Sequence, residues 1–164
     1  MKKLCMLVAL LTVLTGCSGT QTTFETVADD VVQAVSGRQR QILLEIPNEA
    51  AEAVFKEESG DKLYVCEGYT LAVQTMQAGD LERTVQTLSG YGQDSITVVH
   101  TDAGEFDRYD FVWTSMGEDG CQIGRAAVLD DGSYHYAVSC MASAEAYAAV
   151  KPGWERIFCS FWLG

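Results

Sequence analysis

The sequence predicts an α+β domain in which an antiparallel β-sheet is flanked by helices. Four strand-like runs follow one another between Ser95 and Met141, separated only by short glycine-containing or acidic turns. Tight turns of this kind join antiparallel neighbours, because parallel strands need a long crossover between them. Apolar residues recur at helical spacing before and after these runs. Such helices are expected to bury their apolar faces against the sheet.

The chain begins with a secretory leader. Lys2 and Lys3 precede an apolar run from Leu4 to Leu14, and the segment closes on Leu14-Thr15-Gly16-Cys17. A basic start, about a dozen apolar residues and small residues at the end are typical of a cleaved signal, too short to span a bilayer. The segment resembles the bacterial lipoprotein signal peptide, whose Leu-x-Gly-Cys box is cut before a cysteine that carries a diacylglyceryl group.

This resemblance implies where the protein resides. Residues 1–16 would be removed, and Cys17 would be the lipid-modified first residue of a bacterial lipoprotein on the extracytoplasmic face of the cell membrane. Two acyl chains on one cysteine anchor a protein stably, whereas one chain holds it only marginally. The alternatives are an ordinary secretory signal in which Cys17 has no role, or an anchor that is left uncut.

The mature chain is expected to form one acidic domain. Removing the first 16 of 164 residues leaves 148, with 9 basic and 23 acidic residues and a net charge of −14. This surface would be repelled by phosphate backbones, so nucleic acid is not expected as a partner. Solubility alone also explains the charge. The expected partners are the membrane, through the lipid on Cys17, and an envelope protein or a small ligand.

The N-terminal part is divided into a polar tether over residues 17–23 and a single domain over residues 24–164. Thr23 is a candidate cap for a helix whose apolar residues, from Phe24 to Val35, form one face. Because its polar face is acidic, this helix is expected to dock on the domain rather than on lipid. Gln41 to Ile46 is expected to form a strand that ends at Pro47.

The middle of the chain predicts one long strand and a short helix. Lys62 to Met76 alternates with a bend at Gly68. The residues expected on its apolar face are Leu63, Val65, Tyr69, Leu71 and Val73. Gly79-Asp80 predicts the start of a helix that presents Leu81, Val85 and Leu88 on one side and ends at Ser89-Gly90.

The remaining elements are a four-stranded meander and a closing helix. The expected strands are Ser95 to Thr101, Phe106 to Ser115, Cys121 to Leu129 and Ser133 to Met141. Ser143 is expected to cap a helix from Ala144 to Val150, which Pro152-Gly153 should kink or restart. An apolar stripe from Trp154 to Phe161 is expected to cover the small residues Gly124, Ala126, Ala127, Ala137 and Ser139.

Four cysteines remain after Cys5 leaves with the signal and Cys17 is lipidated, and an oxidising location allows three pairings. Asp131-Gly132 predicts a two-residue hairpin turn that places Cys140 opposite Ile123. Cys121 and Cys140 would then be diagonal neighbours at about 7–8 Å, within reach of a disulfide only if the strands twist. The sequence therefore predicts the pairs Cys121–Cys140 and Cys66–Cys159. Four free thiols are the alternative, since cysteine packs well without bonding.

Metal and catalytic chemistry are not indicated. The densest acidic cluster is Asp102, Glu105, Asp107 and Asp110, but its spacing does not match a calcium loop, and alternation sends Asp107 and Asp110 to opposite faces. It is interpreted as a solvated turn. His135 is expected at the surface or an interface, on the face opposite Tyr134, Tyr136 and Cys140. A zinc site or a catalytic dyad would require His135 or His100 to meet Cys66, Cys140 or an acid in space. No local signature of a cysteine nucleophile surrounds any of the cysteines. No metal and no cofactor are predicted.

The chain from Gln41 to Leu163 resembles the PsbP/DcrB-like family. The resemblance lies in the order of the elements from Gln41 to Leu163, in the tyrosine-rich strand Gly132-Ser133-Tyr134-His135-Tyr136-Ala137-Val138 and in the helix ending Ile157-Phe158-Cys159-Ser160-Phe161. It implies an α/β/α sandwich built on an antiparallel sheet, and several bacterial members are lipoproteins. No shared active site comes with it, and members mostly act as accessory or binding proteins.

The predicted function is a membrane-anchored extracytoplasmic lipoprotein with a binding or accessory role and no catalysis. One alternative is a small secreted hydrolase that uses a cysteine or the acidic loop. Another is a structural partner of the cell envelope, in which the stripe from Phe24 to Val35 docks another protein. The sequence does not indicate which ligand is bound.

Overall fold

The computed structural model describes residues 38–53, 61–117 and 120–164. The predicted signal over residues 1–16, the lipidated Cys17, the tether to residue 23 and the helix from Phe24 to Val35 lie outside the described residues. Within the described ranges, no helix has the length and apolar character needed to cross a membrane.

These ranges contain two helices, α1 (Leu81–Ser89) and α2 (Ala144–Ser160), and nine strands. The strands are β1 (Ile42–Leu43), β2 (Ala51–Ala53), β3 (Lys62–Cys66), β4 (Tyr69–Gln77), β5 (Val98–Asp102), β6 (Asp107–Gly117), β7 (Gly120–Asp130), β8 (Tyr134–Ser143) and β9 (Trp162–Leu163). Seven of them form an antiparallel sheet in the order β2-β3-β4-β8-β7-β6-β5, and β1 pairs with β9. The predicted α+β class and the meander from β5 to β8 are confirmed.

Among the described residues, each face of the large sheet packs against one helix. Strand alternation sends neighbouring residues of β8 to opposite faces, so Val138 packs towards α2 and Ala137 towards α1. The α2 side buries Trp154, Ile157 and Phe158 of the helix together with Leu71, Leu129, Tyr136 and Cys140 of the sheet. The α1 side buries Val85 of the helix with Phe111, Trp113, Ala126 and Val128.

The predicted caps of both helices are present. The Asp80 carboxylate accepts the Glu82 N–H, and α1 ends at Gly90 with φ of 80°, a left-handed conformation that suits glycine. The Ser143 hydroxyl accepts the Ala146 N–H at the start of α2. At the other end of α2, Arg108 donates to the Phe158 carbonyl at 3.0 Å, which places a cation where the helix dipole is negative.

Pro152 does not interrupt α2, so the predicted restart of the helix at this residue is wrong. The helix runs continuously from Ala144 to Ser160. An internal proline costs about 3 kcal/mol, but each buried large side chain contributes about 1.5–3 kcal/mol. Trp154, Ile157 and Phe158 are all buried against the sheet, and their packing outweighs the missing hydrogen bond.

The predicted strand from Lys62 to Met76 is two strands, because the chain reverses at Glu67-Gly68 and Cys66 pairs with Tyr69. Gly68 has φ of 80° at this turn. The predicted apolar face holds for Leu71 but is wrong in β3, where Tyr64 and Cys66 are buried and Val65 is 52% exposed. The strand predicted from Gln41 to Ile46 is shorter than expected, since β1 contains only Ile42 and Leu43.

The predicted register of the β7–β8 hairpin is wrong by two residues. Asp130 pairs with His135, and Arg125 rather than Ile123 lies opposite Cys140. The cause is the Asp131 carboxylate, which accepts the N–H groups of Ser133 and Tyr134 and closes a four-residue loop. Because the register differs by an even number of residues, each side chain stays on its predicted face of the sheet.

This register removes the basis for the predicted Cys121–Cys140 disulfide, because Cys121 lies four residues before the partner of Cys140. Cys121 is exposed, whereas Cys140 is buried. The four cysteines Cys66, Cys121, Cys140 and Cys159 are all free thiols in the structure, so neither predicted pair is formed.

The stripe from Trp154 to Phe161 covers Ala127 but not every small residue that was predicted beneath it. Ala126 and Ala137 face α1 instead. Gly124 lies under Trp113, and a Cβ at this position would overlap the indole ring. The glycine is required because an aromatic side chain of β6 occupies the space above β7.

Candidate functional site

A cleft of about 750 Å³ lies between α2 and two connecting segments, and we call it the α2 groove. Ligand sites commonly have volumes of about 300–1,000 Å³. Its lining comes from residues 45–49, from residues 67–69 at the β3–β4 turn and from one side of α2. The α2 residues are Ala146, Ala149, Val150, Gly153, Arg156 and Ile157.

The floor of the groove is formed by small and apolar side chains of α2. Ala149 and Val150 each lie three or four residues from both Ala146 and Gly153, so the four residues lie along one side of the helix. A Cβ at Gly153 would come no closer than 3.9 Å to the Tyr69 hydroxyl oxygen. The small residues therefore keep the space above the helix open.

The facing wall is held against α2 at defined points. Residues 42–43 pair with β9, which follows α2. The Glu45 N–H donates to the Ser160 hydroxyl at 2.9 Å, and Arg156 Nε lies 2.6 Å from Glu45 Oε2. Beyond it, the Ala50 N–H donates to the Pro47 carbonyl at 3.0 Å and closes a turn. The groove is thus preformed.

The rim of the groove is acidic. Glu45, Glu49 and Glu67 contribute carboxylates, whereas Arg156 contributes the lining's one guanidinium among the residues that the structure describes. Arg156 is engaged by Glu45, and this hydrogen bond raises the pKa of the arginine. The carboxylates of Glu49 and Glu67 therefore set the charge of the rim.

Aromatic rings and a thiol lie behind the floor. Trp154 packs edge-on against Tyr69 and Tyr147, with ring centroids 6.1 and 5.4 Å apart. Burial, reinforced by a hydrogen bond with Cys66, raises the pKa of Tyr69. Burial also raises the pKa of the Cys66 thiol and that of Cys140. Both thiols therefore stay protonated, which is the inert form of cysteine.

A second, smaller cleft of about 390 Å³ lies at one end of the sheet, and we call it the acidic pocket. It gathers three members of the predicted acidic cluster and two further carboxylates from the β7–β8 turn. These residues are Asp102, Glu105, Asp107, Asp130 and Asp131. The sequence did not predict that Asp130 and Asp131 belong to this cluster. The pairing of β6 with β7 would have indicated it, because it sets Asp107 opposite Asp130.

The fourth predicted member, Asp110, does not join the acidic pocket. Arg108 Nε lies 2.7 Å from one of its oxygens, and Arg125 lies 3.7 Å from the other. The prediction that Asp107 and Asp110 face opposite sides is therefore correct. In the part of the chain that the structure describes, no group of three His, Cys, Asp or Glu residues is arranged to hold a metal ion.

The two histidines contact carboxylates of the acidic pocket. His100 Nε2 lies 2.6 Å from Asp107 Oδ1. His135 Nδ1 is hydrogen-bonded to the Thr84 hydroxyl at 2.7 Å, and its Nε2 lies 3.3 Å from Asp130 Oδ2. His135 is only 1% exposed, so the prediction of a surface histidine is wrong. Its predicted face is correct, but α1 covers that face.

Asp131 is the most strongly held carboxylate of the acidic pocket. Burial alone would raise its pKa, but the N–H groups of Tyr134 and Ser133, the Tyr136 hydroxyl and the Arg40 guanidinium outweigh burial and lower it. The Tyr136 hydroxyl donates to Asp131 at 3.0 Å and accepts the Arg40 N–H at 2.8 Å. This carboxylate therefore ties the β7–β8 turn to the start of the described chain.

Comparison with solved structures identifies a PsbP-like fold. The solution structure of cyanobacterial PsbP (CyanoP) from Synechocystis sp. PCC 6803 has 12% identity and a TM-score of 0.55, covering 79% of this chain and 95% of that one. At this identity the similarity concerns the fold alone. The PsbP-like α/β/α arrangement that the resemblance implied is confirmed.

Two further structures are less similar. A crystal structure from Bacteroides thetaiotaomicron VPI-5482 has 13% identity and a TM-score of 0.48, covering 75% of this chain and 45% of that one. LpqN, involved in cell envelope biogenesis of Mycobacterium tuberculosis, has 8% identity and a TM-score of 0.49, covering 78% and 87%. No protein-family model matches the sequence, and no match is found among curated proteins.

Proposed function

We propose that this protein is a lipid-anchored extracytoplasmic binding protein whose ligand occupies the α2 groove. The observation that carries the proposal is a preformed cleft of about 750 Å³ with an apolar floor and a charged rim. A fold alone does not specify a function, whereas a preformed site with defined chemistry indicates a ligand. The role is accessory, and the protein carries out no chemical reaction on what it binds.

The absence of catalysis is inferred from the state of the groups nearest the groove. Cys66 lies behind the floor with a raised pKa, whereas a nucleophilic cysteine needs a lowered one. The two histidines contact Asp107 and Asp130 at the acidic pocket rather than a thiol.

The membrane anchor is inferred from the leader and Cys17. Cells grown with a clickable fatty acid should label the wild-type protein, and the substitution Cys17→Ser should abolish the label and release the protein from the membrane fraction. Undiminished label on the Cys17→Ser protein would remove the anchor from the proposal.

The binding role is tested with a photoreactive amino acid placed in the groove of intact cells. Ala149 is exposed and lines the groove, whereas its neighbour Ala148 is also exposed but lies outside the lining. A crosslinker at Ala149 should form a discrete adduct, and the same crosslinker at Ala148 should not. The same crosslinked products from Ala149 and Ala148 would contradict ligand binding in the groove.

A further inference from the structure

We propose that the occupant of the α2 groove is an extended segment of a partner protein that carries alternating apolar and basic side chains. This inference rests on the proposed function and names the class of ligand. Apolar side chains would contact the α2 floor, and lysine or arginine side chains would pair with the rim carboxylates.

The floor selects short apolar side chains over a long acyl chain. It is made of alanine, glycine and valine on one side of α2, with Ile46 on the facing wall. Ile46 is 36% exposed, and Ala149 also faces solvent. Burying this apolar surface against a ligand would favour binding. Because the floor is open along the length of the helix, it suits a chain that lies over it.

The rim selects positive charge. Glu49 and Glu67 stand on different segments of the groove, and Arg156, the cation beside them, is already paired with Glu45 at 2.6 Å. An anionic headgroup would meet these carboxylates and be repelled. A basic segment would meet complementary charge and would also be steered by the acidic surface of the whole chain.

An extended segment can satisfy floor and rim together. Successive side chains of an extended chain point to opposite sides, so one set can face the α2 floor while the other reaches the carboxylates. Pro47 of the wall and Gly68 of the β3–β4 turn both line the path.

The test uses the mature lipidated protein in phosphatidylcholine nanodiscs, with empty nanodiscs as the blank. The probe is a capped six-residue peptide of alternating leucine and lysine, and its affinity is measured by calorimetry. Two further peptides replace leucine by serine or lysine by glutamate. We expect each replacement to weaken binding by about tenfold or more. Equal affinity of the serine or the glutamate peptide would overturn the apolar or the basic requirement, respectively.

Paired variants locate the binding site. Ala149→Phe fills the groove and should weaken binding of the leucine-lysine peptide by about tenfold, whereas Ala148→Phe should change it less than about twofold. The double substitution Glu49→Lys with Glu67→Lys should abolish binding. Glu82→Lys with Asp94→Lys makes the same change in net charge in α1 and the segment that follows it, away from the groove, and should weaken binding only slightly at 0.15 M salt. Equal losses in matched variants would overturn the proposal.

The two proposals fail in different ways. If the crosslinker at Ala149 forms its adduct in cells but none of the peptides binds, the binding function stands and the proposed ligand class is wrong. A lipid recovered as that adduct would also overturn the ligand class. If neither adduct nor peptide binding is found, the function itself is wrong. Circular dichroism melts of each variant identify any that fail to fold.

Discussion

The α2 groove and the acidic pocket are both lined by carboxylates, but those carboxylates have different partners. In the acidic pocket, Asp102, Asp130 and Asp131 accept backbone N–H groups of their own turns. Asp107 meets His100 in the same region. In the groove, Glu49 and Glu67 stand at the rim of an apolar floor.

This difference separates carboxylates that build the fold from carboxylates placed for a ligand. Aspartate at the start of a turn commonly accepts the N–H two residues later and fixes the turn. The acidic pocket is therefore explained by the closing of two neighbouring turns. In the groove, only Glu45 of the described lining carboxylates supports a wall, through its hydrogen bond with Arg156.

The largest expected effect is on stability at Asp131. The substitution Asp131→Ala should lower the free energy of unfolding by about 2–4 kcal/mol, because the Tyr136 hydroxyl and the N–H groups of Ser133 and Tyr134 lose their acceptor. Urea unfolding followed by tryptophan fluorescence measures the change.

The control for this prediction is Asp102→Ala, which removes an exposed carboxylate with one backbone partner. Its cost should stay below about 1 kcal/mol. Similar costs for Asp131→Ala and Asp102→Ala would contradict the distinction between a carboxylate that joins distant segments and one that closes only its own turn.

The Asp131 carboxylate should also make the free energy of unfolding depend on pH. The pKa of Asp131 in the folded chain is below its ordinary value of 3.8. Its ionised form therefore stabilises the fold above that value, and this contribution is lost as the pH falls through the lower, folded pKa. Between about pH 5 and pH 2, Asp131→Asn should lose stability less steeply than the wild type. Parallel pH curves would show that Asp131 is not the responsible group.

A smaller effect is expected for the ion pair of the groove wall. Arg156 and Glu45 are 79% and 57% exposed, and water screens an exposed pair so that it adds little to stability. Glu45→Gln should therefore lower the free energy of unfolding much less than Asp131→Ala does, and the loss should diminish in 1 M salt. A larger loss that salt does not affect would mean that the wall is a structural element rather than a ligand surface.

The smallest effect on stability is expected at the rim. Glu49→Gln and Glu67→Gln should change the free energy of unfolding by less than about 0.5 kcal/mol, because they alter surface charge without removing a buried contact. Chemical denaturation checks both variants. If either one destabilises the chain as strongly as Asp131→Ala, the two regions do not differ in the way described.

Local patterns predicted the scaffold better than they predicted the site. Alternation and tight turns predicted β5 to β8, and Asp80, Gly90 and Ser143 predicted helix ends, because each signal acts within a few residues. The register of β7 and β8 was wrong because a side chain, Asp131, lengthened the loop. The Asp-Gly turn preference does not take account of that hydrogen bond.

The groove could not be predicted for a different reason. Its lining joins residues 45–49, residues 67–69 and one side of α2, which come together only after the sheet has formed. A continuous α2 is also required, since Gly153 and Arg156 follow Pro152 on the same helix. The sequence alone favoured a kink or restart at Pro152-Gly153. The packing of Trp154 and Phe158, which stabilises the continuous helix, depends on the whole fold and is not visible in the local sequence.

The most direct test of the difference between the two regions is the map of amide chemical shifts when the leucine-lysine peptide is added to the isotopically labelled protein. Shifts should concentrate at residues 45–49, at residues 67–69 and along α2 from Ala146 to Ile157, while those of Asp102, Asp107 and Asp130 should stay unchanged. Shifts concentrated at the acidic pocket, with the groove unaffected, would contradict the account.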